Sequence, residues 1–121
     1  MNSQPEILKR RTKQFAIRIV WLFKALPRTE EGRVIGKQLL RSGTSVAANY
    51  RAVCRARSKA VFISKIGVVV EEADETVFWL ELLSDVGIMS EAKVNALRAE
   101  ANQLLAIFAA SQRTARSHHK Q

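Results

Sequence analysis

Apolar side chains recur at alternating steps of four and three through four stretches of this chain, the spacing at which an α-helix returns to one face. In the first stretch Leu8, Thr12, Phe15, Ile19, Leu22 and Leu26 form the seam. Pro27, whose ring and missing N–H cannot continue a helix, stops it. Thr29 is placed to cap a second helix, with Glu30 and Glu31 against the positive end of its dipole. The second seam reads Ile35, Leu39, Ser42, Val46, Asn49 and Val53. Ser58 is the expected cap of a third helix, whose seam is Phe62, Ile66, Val69, Ala73, Thr76, Leu80 and Leu83. Gly87 suits a left-handed C′ position there, with Ile88 folding back. Ser90 caps the fourth helix, Met89 and Val94 forming a hydrophobic staple, and Val94, Leu97, Ala101, Leu104 and Phe108 are its seam. The spacing predicts helices over about 5–26, 30–55, 59–86 and 91–114 within a single domain spanning 1–121, and a frayed basic tail over 115–121. Connections this short make each helix run antiparallel to the last, an all-α up-down-up-down four-helix bundle.

Two features depart from a generic bundle. The second helix carries Ser42 and Asn49 on its core seam and Ser45 beside them, and Glu72 turns toward the edge of the third seam. These four are the expected polar groups of the core, and a buried one needs a hydrogen-bond partner. Gly36 and Gly43 lie next to that seam and permit close helix approach. The third helix is apolar nearly all round: Ile63, Val70 and Val77 widen its stripe, and Val68, Phe78 and Leu82 fall on the side that should be solvated. A helix of that kind is normally buried on all sides. Self-association through Val68, Phe78 and Leu82 is the expectation.

Charge narrows the function. Residues 1–60 hold 14 Lys/Arg against 3 Asp/Glu, and residues 61–121 hold 6 against 8, for a net charge of +9. Such asymmetry favours polyanions, through phosphate neutralisation and counterion release. Lys9, Arg10, Arg11, Lys13 and Arg18 crowd the first helix, and Arg33, Lys37, Arg41, Arg51 and Arg55 follow the outward face of the second. These ten are the candidate RNA-binding residues. Tyr50 and Trp21 alone interleave with them for base stacking, so the pattern points to backbone contact rather than sequence reading.

Other chemistry finds little support. Lys65, Glu71, Glu72 and Glu81 interrupt the most hydrophobic region, so no membrane span is expected. The single cysteine, Cys54, suits a reducing compartment, and the cytoplasm is the expected location. His118 and His119, the only histidines, lie in the tail. No Glu-x-x-His pair, phosphate loop or nucleophile–histidine arrangement occurs, so no catalytic residue, metal site or cofactor is expected. The acidic run Glu71, Glu72, Asp74 and Glu75 could serve a metal or acid–base site, but helical spacing spreads the four around the axis, and intersubunit or interhelix ion pairing with the basic second helix is the preferred reading.

Several segments together resemble the bacterial 23S rRNA intervening-sequence proteins, also called the four-helix-bundle protein family. They are Leu26-Pro27, Gln38-Leu39-Leu40-Arg41-Ser42, Thr44-Ser45-Val46-Ala47-Ala48-Asn49-Tyr50-Arg51, Arg55-Ala56-Arg57-Ser58-Lys59, Phe62-Ile63-Ser64-Lys65-Ile66-Gly67, Glu71-Glu72-Ala73-Asp74-Glu75-Thr76 and Trp79-Leu80-Glu81-Leu82-Leu83. The likeness runs from about Phe15 to Phe108. One common pattern in the family has an acidic residue soon after the Asn; Arg51 and Cys54 occupy that stretch here. The resemblance implies an antiparallel bundle assembling as a homopentamer, with no catalytic residues to carry over. Some members are encoded inside inserts of large-subunit ribosomal RNA genes. The accessory proteins of diversity-generating retroelements, basic pentamers serving a reverse transcriptase and its RNA, are similar at a greater distance.

Residues and resemblance together lead to the expectation of a non-enzymatic oligomeric bundle that binds RNA as an accessory or chaperone-like factor. The alternative is a structural adaptor whose positive surface meets an acidic protein partner.

Overall fold

The computed structural model describes residues 3–119. Its elements are four helices, α1 (Gln4–Ala25), α2 (Glu30–Val53), α3 (Lys59–Asp85) and α4 (Glu91–His119), with no strand among the described residues. Side-chain caps set three of the starts. Ser3 Oγ accepts from the Glu6 amide, Thr29 Oγ1 from Gly32 and Ser58 Oγ from Val61, each taking one of the orphan donors of a first turn. At the end of α3, Gly87 adopts φ +75°. That left-handed turn lets the amides of Ile88 and Met89 donate back to the Leu83 carbonyl, at 3.0 and 3.1 Å. Met89 and Val94 are both buried where α4 begins.

The seams meet in one core, in which Phe15, Ile19, Leu39, Ile66, Leu80, Leu104 and Phe108 are almost wholly buried. Each helix packs on its neighbour in sequence, and α4 closes on α1 along the loosest of the four seams. Small residues bring α1 and α2 together: a Cβ at Gly43 would lie 2.9 Å from two carbons of Ile19. Gly36 lies opposite Phe23 and Leu26 in the same way.

Three sequence expectations change. α4 does not fray at residue 115; it continues to His119, with Ala115 buried. Ala115 is seven residues beyond Phe108 and falls on the same face, so the inward stripe simply continues in a small residue. Lys120 and Gln121, the end of the expected tail, lie outside the described residues. The polar core is also smaller than expected. Ser42 is fully buried, its hydroxyl 3.0 Å from that of buried Thr76. Ser45 and Asn49 are only half-buried, and the Asn49 amide donates within its own helix to the Ser45 carbonyl and hydroxyl, at 2.9 and 2.7 Å. Glu72 is no core group at all; it is half-buried at the α2–α3 edge and faces Arg41. Finally, Tyr50 is no exposed stacking platform, because its ring is buried against Phe108 at 5.1 Å between centroids.

Among the described residues, no helix is long and apolar enough to cross a membrane, and no cluster of three or more His, Cys, Asp or Glu could hold a metal ion.

Candidate functional site

The ten basic residues singled out in the sequence do not act as one set. Two of them are spent on the bundle itself. Arg11 clasps α4: its Nε lies 2.7 Å from one Glu100 oxygen, and Nη2 donates to the other at 2.8 Å and to Gln103 at 2.6 Å. This hydrogen-bonded carboxylate raises the Arg11 pKa above its ordinary value. Arg41 spans to α3, where Nη1 donates to Glu72 at 3.1 Å and Nη2 pairs with Glu75. Glu75 in turn accepts from the indole N–H of Trp79 at 2.9 Å. That bond, together with Arg41, holds the Glu75 carboxyl below the usual range against the opposing effect of burial. The acidic run on α3 is thus partly an ion-pairing partner of α2.

Four others converge. Lys9, Arg10 and Lys13 project from α1, and Arg51 from α2, around a groove of about 510 Å³ floored by Thr44, Ala47 and Ala48. The local reason is periodic. Lys9 and Lys13 are one turn apart, as are Thr44 and Ala48, and Ala47 and Arg51. Small side chains on α2 leave the space between the helices open. Among the described residues, none of these four cations is in an ion pair within 4.0 Å. The helices' own carboxylates, Glu6, Glu30 and Glu31, lie in their first turns rather than along the groove.

The remaining candidates are dispersed. Arg33 shares a separate hollow with Lys24 and Arg28 at the α1–α2 turn. Lys37 and Arg55 are exposed on α2 and just beyond it, and Arg18 is half-buried. Sequence reasoning missed the floor residues Thr44, Ala47 and Ala48, which carry no charge. Pairing the start of α1 with the end of α2 would have found them.

On the far side of the molecule, Phe78 is 52% exposed and Val68 39%, and Leu82 is half-buried. Phe78 sits in a shallow groove with Glu71, Asp74 and Glu81, so this apolar patch has an acidic rim.

Fold and surface together define a class: a four-helix protein with a basic groove between α1 and α2 and an apolar patch on its third helix. The chain belongs to the 23S rRNA-intervening sequence protein family, whose sequence profile matches residues 6–110. It is also similar to a protein of unknown function from Bacteroides thetaiotaomicron, assigned to the S23 ribosomal protein family and solved by crystallography. The two share 35% identity with a TM-score of 0.80, over 86% of this chain and 96% of that one. No curated protein matches.

Proposed function

We propose that this protein is a non-enzymatic RNA-binding factor that holds RNA by its phosphates in the α1–α2 groove. The observation that carries this reading is the convergence of Lys9, Arg10, Lys13 and Arg51 on one concave surface with no carboxylate paired to them among the described residues. Cations in that arrangement neutralise successive phosphates and release counterions. The Bacteroides relative's assignment to a ribosomal protein family agrees in direction.

We further propose antiparallel helices, as in an up-down-up-down bundle. Support comes from the α1–α2 contacts, where Gly36 opposes Phe23 and Leu26 while the later Gly43 opposes the earlier Ile19. Assembly as a homopentamer through Val68, Phe78 and Leu82 belongs to the same proposal, and its support is the exposure of Val68 and Phe78. A ring would repeat the groove and raise the local concentration of phosphate sites. The lone cysteine favours action in the cytoplasm.

Fluorescence polarisation of labelled single-stranded and duplex RNA tests the groove. Lys9→Glu/Lys13→Glu/Arg51→Glu should weaken binding at least tenfold, on the order of 1 kcal/mol or less per lost contact, without altering the helical circular dichroism. Arg28→Glu/Arg33→Glu/Lys37→Glu, outside the groove, serves as a charge-matched control and should weaken it less. Equal loss in both would mean that net charge, not the groove, governs binding. No RNA binding at low salt, with a stoichiometric acidic protein recovered instead, would favour the adaptor reading.

A further inference from the structure

About one helical turn before Lys9 on α1, and three residues after Arg51 at the end of α2, Pro5 and Cys54 line a second concavity of about 470 Å³. The character of the surface changes there. Pro5, Val53 and Phe62 make its walls apolar, and Arg57 and Lys59 stand exposed at its rim. Tyr50 also lines it, the ring buried and the hydroxyl beside the Cys54 thiol. Burial first, and Cys54 second, push the Tyr50 pKa up, so the hydroxyl keeps its proton and remains a donor.

Apolar walls, one hydroxyl and a cationic rim suit a flat ring system joined to an anion, which is the chemistry of a nucleotide. A base within a duplex cannot present its faces in this way, whereas an unpaired one can. We propose that this cavity receives one unpaired base of the RNA whose phosphates occupy the α1–α2 groove. Phe62 offers the base an aromatic face, Tyr50 a hydrogen-bonding group, and Arg57 and Lys59 hold the adjoining phosphate. The inference rests on the RNA reading of the groove and adds a preference to it: RNA with single-stranded ends over fully paired RNA.

The test compares a short blunt RNA duplex with the same duplex carrying a single-stranded overhang. Wild-type protein should bind the overhang form about tenfold more tightly, the scale of one base–aromatic stack. Phe62→Ala should abolish that advantage and leave blunt-duplex affinity unchanged. Cys54→Trp, at an exposed position, should do the same by filling the concavity, with the helical circular dichroism unchanged. Alkylation of Cys54, the only cysteine, should be slowed by the overhang RNA and not by the blunt duplex. Equal wild-type affinities that still depend on Lys9, Lys13 and Arg51 would overturn the base pocket and leave the groove standing. A preference surviving Cys54→Trp, or a thiol left unprotected, would also overturn it. Failure to bind either RNA would remove the groove reading and this inference with it.

Discussion

Leu80 is wholly buried where α3 meets the core, and its truncation leaves a cavity that rigid neighbours cannot close. Leu80→Ala should cost about 2–5 kcal/mol in urea unfolding; a loss under about 0.5 kcal/mol would place it outside the core. The glycines of α2 give a finer test of packing. Alanine is favoured over glycine in a helix by about 1 kcal/mol, so the surroundings decide the sign. At Gly43 the new methyl meets Ile19, a fully buried and β-branched side chain, at 2.9 Å, and overpacking of that kind costs about 1–3 kcal/mol. At Gly36 the first atom met is the flexible Leu26 Cδ1, at 2.8 Å. Gly43→Ala should therefore lower the urea midpoint, and Gly36→Ala should change it less. The reverse order would contradict the packing. Glu75 predicts a pH dependence. Its folded-state pKa is depressed, first by the Trp79 indole and then by Arg41. Its contribution is therefore present above the unfolded carboxylate value, about 4.3, and is lost as pH falls through the lower folded value. The urea midpoint should decline below about pH 4.5, and Glu75→Gln should remove part of that decline.

At the scale of elements, the helices were legible because their signals are local. Seam positions such as Phe15, Leu39, Val69 and Leu104 are all buried, and Thr29, Ser58 and Gly87 do at the helix ends what their side chains or φ angles allow. What the sequence hid depends on which helices become neighbours. Arg11 and Arg41 look like any exposed cation on a single helical wheel. Only the placement of Glu100 on α4 and of Glu72 and Glu75 on α3 turns them into interhelix clamps. Thr44, Ala47 and Ala48 likewise acquire meaning only as the floor between two helices. The Arg41 clamp is about half-exposed, and ion pairs of that kind are worth little. Arg41→Ala should cost less than about 1 kcal/mol, with the loss shrinking as salt rises, and should leave RNA affinity almost unchanged. A large loss of RNA affinity would return Arg41 to the binding surface.

For the whole molecule, two surfaces of opposite character have to be explained together. The exposed Phe78 and Val68 patch on α3 is proposed to contact other copies, leaving the basic groove outward. Light scattering should report an oligomer for the wild type and a smaller species for Phe78→Glu/Val68→Glu; a monomeric wild type, or an unchanged mutant assembly, would count against the interface. The groove itself is tested most directly by the salt dependence of RNA binding. Each phosphate contact on single-stranded RNA contributes about −0.7 to the slope of log affinity against log salt. Four groove cations acting together should thus give a slope of about −3 for each groove engaged. Lys9→Glu/Lys13→Glu/Arg51→Glu should flatten it by about 2. A wild-type slope near zero, or one unaltered by the triple substitution, would contradict a phosphate-binding groove between α1 and α2.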